Sequence, residues 1–347
     1  ERKRFPRLIV RLARHSASGL GGGCPHCLAR MLEQEAEQDD GNPSPPLAAG
    51  DTLGGMEILA PLGRGGMGVV YKARQPELNR VVAIKVIDAK LAGVLEFTQR
   101  FEREARLLAS LNHSSIAHFY GLEAATLDGT TVHLIAMELV EGVSLGRRIA
   151  ERGSLTEREV LRLFSPLCDA LQHAHEVGVV HRDIKPANIL IDGRGRARLV
   201  DLGLAVGQND PAITRTGATL GTPHYISPEQ ARDPGQADIR SDLWSIGATM
   251  YHAVCGRPPF QVDGEGRGGV AEILARVLHD PVEDPRGLSP ALSRDFSLLL
   301  RKCLTRDPAQ RYQEPWELVA DIELLRERRR LDLRGSRLDP FASRRPR

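Results

Sequence analysis

Residues 181–203, HRDIKPANILIDGRGRARLVDLG, constrain this chain more than any other stretch. A polar loop opens it, a strand from Asn188 to Ile191 follows, then a Gly-rich turn from Asp192 to Gly195, then a second strand from Arg198 to Val200. Asp-Gly after an apolar run is a strong short-range turn signal, so the middle is predicted to fold back as a hairpin. With the turn centred between Arg194 and Gly195, Asn188 is expected opposite Asp201. Two oxygen-bearing side chains then meet at the open end. Magnesium takes oxygen ligands and typically uses one or two protein groups beside substrate phosphates. Asp183, in the preceding loop, adds a carboxylate able to accept a proton.

Two further stretches bear on that chemistry. Glycines at 63, 65 and 68 lie between apolar runs. Glycine permits a tight turn and close backbone approach to phosphate oxygens. A dinucleotide site uses the same spacing but continues into a helix. Here Val69-Val-Tyr-Lys-Ala73 continues as a β-branched strand, which decides against NAD. Val81 to Ile87 is a strand with one lysine, and period two puts Val81, Ala83, Lys85 and Ile87 on one face. Glu96 to Leu111 is predicted helical, with Phe101, Ala105, Leu108 and Leu111 as its apolar stripe. Glu104 falls on that stripe, and an inward carboxylate wants a buried cation. Lys85 is the candidate.

Together these motifs resemble the eukaryotic-like (Hanks-type) serine/threonine protein kinases of bacteria, over roughly residues 56–330. The resemblance implies an α+β, two-lobed fold: a small, mainly antiparallel β N-lobe with one helix (56–137), a hinge (138–141), and a larger, mainly α C-lobe (142–330). It implies ATP-dependent transfer of phosphate to Ser/Thr hydroxyls of protein substrates, with Asp183 and Lys185 catalytic. Asn188 and Asp201 would hold Mg²⁺, with Mn²⁺ as a substitute. Lys85 would hold the α- and β-phosphates, steadied by Glu104. Gly63, Gly65, Gly68, Val70, Ala83, Met137, Glu138, Val140 and Leu190 would line the nucleotide site, Met137 as gatekeeper. Thr214 and Thr216 resemble activation-loop phosphosites, which Arg182 could pair once phosphorylated. Asp242 resembles the aspartate that bonds the catalytic-loop backbone, and Arg311 the arginine that pairs with Glu229.

Two positions depart from the family pattern. Asp201-Leu-Gly203 stands where Asp-Phe-Gly is usual, keeping an apolar plug without the ring. Ser227-Pro-Glu229 stands where Ala-Pro-Glu is usual.

A rival reading is a pseudokinase, an ATP-binding scaffold. Its usual sign is loss of the lysine, the base or a metal ligand, and none is lost here. A small-molecule kinase is a third reading; the long loop with Thr214 and Thr216 favours a protein substrate. The resemblance leaves an activating homodimer open. A net charge of +2 and 4% aromatics give no nucleic-acid signature. No apolar run approaches the roughly 20 residues of a membrane span. Five scattered cysteines fit a reducing compartment, so the cytoplasm is expected.

Residues 1–55 read as a flexible basic and Pro/Gly-rich arm, and 331–347 as a disordered basic tail. Cys24 and Cys27 have the spacing of half a zinc knuckle. A structural zinc needs four ligands, and only His15 and His26 are near, so exposed thiols are the favoured reading.

Overall fold

The computed structural model describes residues 47–65, 68–87, 105–127, 129–202, 223–262 and 269–331. Strands β1 (Thr52–Leu53), β2 (Met56–Gly65), β3 (Gly68–Gln75), β4 (Arg80–Ile87), β5 (Phe119–Leu127) and β6 (Thr130–Glu138) form one antiparallel sheet in the order β1-β2-β3-β4-β6-β5. Alternation divides β4 between two cores. Val82, Ile84 and Val86 join Met56, Ile58, Tyr71 and Leu134 on one face. Ala83 and Ile87 join Ile135 and Met137 on the other, continuous with the helical lobe. Lys85 shares this second face and is only 8% exposed.

The sheet begins earlier than the sequence pattern suggests. Leu53 is buried in its core, Gly50 N–H donates to the Ile58 carbonyl, and Leu47 N–H donates to the Tyr71 hydroxyl. A two-residue strand carries no readable alternation. Its turn is legible afterwards: Gly54 and Gly55 have φ of +58° and +72°, the signs a two-residue type I′ hairpin needs.

The second lobe is helical: α1 (Leu145–Arg152), α2 (Glu157–Glu176), α3 (Pro228–Arg232), α4 (Ile239–Cys255), α5 (Gly269–His279), α6 (Pro285–Leu288), α7 (Arg294–Cys303) and α8 (Pro315–Arg326). Thr156 and Glu159 cap α2 reciprocally, each side chain bonding the other's backbone N–H. Its hydrogen bonds from Thr156 hold the Glu159 carboxyl below the usual range. Mostly apolar α4 is buried along nearly its whole length and ends at left-handed Gly256. No helix among the described residues is long and apolar enough to cross a membrane.

Between the lobes lies a second sheet, β7 (Gly142–Ser144), β8 (Ile189–Asp192) and β9 (Ala197–Leu199), in that order. The β8–β9 hairpin forms, but its register corrects the expectation for Asn188. Ile189 pairs with Leu199 and Ile191 with Ala197, and Val200 N–H donates to the Asn188 carbonyl at 3.0 Å. Asn188 therefore faces Val200, not Asp201. The cause is the turn. Gly195 N–H closes on the Asp192 carbonyl and Asp192 N–H on that of Arg196, with Gly195 at φ +76°. That is a three-residue loop with a left-handed glycine, so symmetry centres on Arg194. The Asp192 carboxylate accepts the N–H groups of Arg196 and Arg194, which lowers its pKa.

Candidate active site

β4 delivers Lys85 from the sheet, and Asp201 follows β9 from below. Their side chains meet, Nζ to Oδ2, at 3.2 Å. An ammonium withdrawn from water needs an anionic partner, and Asp201 supplies one. Glu104, expected in that role, lies outside the described residues, as do Thr214, Thr216, Cys24 and Cys27.

The loop before β8 gathers three more groups. Asp183 Oδ2 is 3.0 Å from Lys185 Nζ and accepts from Asn188 Nδ2 at 3.0 Å. The same Nδ2 donates to the Asp183 carbonyl at 2.8 Å. With its amide nitrogen so committed, Asn188 has Oδ1 left as a ligand atom. The Val200–Asn188 backbone bond ties this group to the residue before Asp201. Asn188 and Asp201 thus offer oxygen alone, a donor set that fits a hard divalent cation such as Mg²⁺. Among the described residues, no group of three or more His, Cys, Asp or Glu side chains is arranged to hold a metal.

Two residues here are left-handed without being glycine, Arg182 at φ +67° and Asp201 at φ +59°. Such a conformation costs roughly 1–2 kcal/mol, so the surroundings must impose it. At Arg182 the imposing groups are visible. Asp242 of α4 accepts from the backbone N–H groups of His181 (2.7 Å) and Arg182 (2.8 Å). Burial pushes the Asp242 carboxyl upward, against the pull of His181 and Arg182. Gln230 of α3 donates to the Arg182 carbonyl at 3.2 Å.

Above, the β2–β3 turn pairs Gly65 with Gly68 and sets Gly63 opposite Val70. A Cβ on Gly68, at φ +143°, would overlap the Val86 carbonyl oxygen, so the turn can come this close to β4 only as glycine. A Cβ on Gly63 would face open space. Ala83 stands beside Met137 in the ladder. Behind Met137 a small cavity is lined by Leu108, Leu111, Ile135, Leu199 and Leu202. Leu190 lies in β8, partly buried, and pairs with Ser144 of β7, the strand that follows Val140 and Glu141.

Sequence reasoning missed two residues, Arg198 and Gln230. Arg198 grips the Glu138 side chain from 60 residues away, and no local pattern joins them. Gln230 had a signal: Ser227-x-x-Gln230 is a capping-box spacing, and both bonds of the box are present.

The family model for the protein kinase domain matches residues 56–320. The chain belongs to the protein kinase family. "Probable serine/threonine-protein kinase PknB" of Corynebacterium glutamicum is 38% identical over 271 residues, covering 77% of this chain and 41% of that protein. Serine/threonine-protein kinase PrkC of Bacillus subtilis is 36% identical over 270 residues, covering 78% and 40%. The chain thus spans about two fifths of the length of the curated relatives it matches. A crystal structure of the Mycobacterium tuberculosis PknI kinase domain superposes with a TM-score of 0.62 at 28% identity, covering 80% of this chain and 98% of that one. The two-lobed kinase fold, an antiparallel sheet above a helical lobe, is the fold of this chain.

Proposed function

We propose that this chain transfers the γ-phosphoryl group of ATP to serine and threonine hydroxyls of proteins, within a kinase domain over residues 56–330 hinged at 138–141. The observation that carries the reading is the meeting of Lys85 and Asp201 at 3.2 Å, one from each lobe, beside the Asp183 cluster. A scaffold without chemistry would have no need of every one of these groups.

The roles follow from the bonds already made. Asp183 has Oδ2 engaged by Lys185 and Asn188, which leaves Oδ1 to receive an incoming hydroxyl. That hydroxyl's oxygen bonds to phosphorus as the bond to the ADP oxygen breaks, and its proton passes to Asp183. Lys185 lies where its charge stabilises the transferring group. Lys85 holds the α- and β-phosphates, while Gly63, Gly65 and Gly68 offer backbone N–H groups above them. Val70, Ala83, Met137 and Leu190 enclose the base, with backbone groups of Glu138 and Val140 along its edge. A divalent cation, when bound, neutralises phosphate charge, and Asn188 and Asp201 would hold it. Thr214 and Thr216 are the hydroxyls we assign to labelling by the protein itself, read out by mass spectrometry.

The test is Asp183→Asn with Mg²⁺, ATP and a generic basic protein. Transfer is expected to fall about 10²–10⁴-fold while nucleotide binding persists. Undiminished transfer would remove Asp183 from its role, whereas nucleotide binding without transfer by the wild type would leave the scaffold reading.

A further inference from the structure

We propose that Gln230 is a positioning residue for the catalytic loop, acting on Asp183 through the backbone carbonyl of Arg182. The inference rests on the reading of Asp183 as the proton acceptor.

Gln230 is 6% exposed, and both ends of its amide are in use. Its Oε1 accepts from the Ser227 hydroxyl at 3.0 Å and from Ser227 N–H at 3.3 Å. An N–H donor can face only the oxygen end, so Ser227 fixes which way the amide points. Nε2 is thereby aimed at the Arg182 carbonyl, 3.2 Å away. Asp242 holds the N–H of the same residue at 2.8 Å. The peptide planes on both sides of Arg182 are therefore clamped by side chains from two different helices. Arg182 is the left-handed residue at φ +67°, and Asp183 comes next. Rotation of the 182–183 peptide would swing the Asp183 side chain away from Lys185 and Asn188. Asp242 restrains one plane, and Gln230 restrains the plane that Asp183 belongs to.

This gives the serine at 227 a purpose that alanine could not serve. An alanine would leave only the backbone N–H to orient the amide, and would lose the α3 cap that the Ser227 hydroxyl makes with Gln230 N–H.

Two variants and a control test it. Gln230→Met keeps length and volume but has no donor; kcat is expected to fall about tenfold with KM for ATP within about twofold. Gln230→Glu keeps the capping box and fold but sets a carboxylate against the Arg182 carbonyl. A buried acid there titrates high, and once protonated it donates again. The ratio of its kcat to that of wild type is therefore expected to rise at least about threefold between about pH 8 and about pH 6. A residue of purely structural importance would lower stability without this pH signature. Ser227→Ala is expected to fall between wild type and Gln230→Met. Should Gln230→Met fail to fold, the Glu variant alone decides. A Met variant with wild-type kcat, or a pH-independent ratio for the Glu variant, overturns the inference. Asp183→Asn run beside them separates the two ideas: if it stays active, the base assignment fails; if it is dead while the Gln230 variants match wild type, only the positioning role fails.

Discussion

Glu138, the last residue of β6, grips Arg198 of β9 at two points, Oε1 to Nη1 at 2.8 Å and Oε2 to Nη2 at 2.6 Å. Arg198 also donates to the Ile116 carbonyl, and Glu138 accepts from His118 N–H. The pair ties the end of β6 to the β8–β9 hairpin that follows Asn188. Bidentate, partly buried pairs outweigh exposed ones.

Glu138→Gln and Arg198→Met should each destabilise the protein by about 1–3 kcal/mol in urea unfolding. A double-mutant cycle should return a coupling of about 0.5–3 kcal/mol. Strictly additive losses would mean that the contact contributes nothing of its own.

Arg311 uses every N–H it has: two on Glu229, one each on the carbonyls of Arg240, Arg306 and Thr305. Arg311→Met should cost about 3–5 kcal/mol, because it strands the Glu229 carboxylate. Burial raises the Glu229 pKa, but Arg311 and Ser241 outweigh it and hold it below the ordinary value. A carboxyl depressed in the folded state stabilises above its unfolded pKa and loses that contribution as pH falls through its folded one. Unfolding midpoints over an acid series should therefore slope less in Glu229→Gln than in wild type.

Lys85→Met should keep the fold, since methionine fills the stem's volume and Asp201 retains access to water. ATP affinity should weaken at least about tenfold, equal to some 1.4 kcal/mol. Equal affinity by fluorescence titration would place the phosphates elsewhere.

His252 of α4 accepts the Tyr225 hydroxyl at 2.6 Å if its Nδ1 is unprotonated. Burial, with His224 adding to it, lowers its pKa to about 4. The unfolded chain thus takes up this proton first. The stabilisation is complete above the ordinary histidine value of about 6.5 and is lost as pH falls toward about 4. One proton limits the slope to about 1.4 kcal/mol per pH unit. His252→Gln should remove that portion of the slope between those limits, and an unchanged curve would exclude the histidine as its source.

Much of this was legible in the chain. Alternation in 81–87 placed Lys85 and Ala83 together, and Thr156-x-x-Glu159 announced the start of α2. The mostly apolar stretch 241–251 is readable as a central helix, and α4 is buried along it. What could not be read depends on parity and distance. Whether a turn holds an even or odd number of residues is decided by glycine φ, so Asn188 was assigned the wrong partner. Glu138 and Arg198 are joined only once the lobes are stacked. The two-residue β1 is too short for any period, although Leu53 needs burial.

The odd loop at 193–195 also works as a length gauge. Side chains along a strand alternate faces, so one residue more or fewer inverts them all. Deleting Gly195 would aim Arg198 inward, lift Leu199 into solvent, and slide Asp201 out of reach of Lys85. A single turn of chain thereby calibrates the Glu138–Arg198 clasp and the carboxylate that meets Lys85 together, and neither could drift in length without spoiling the other.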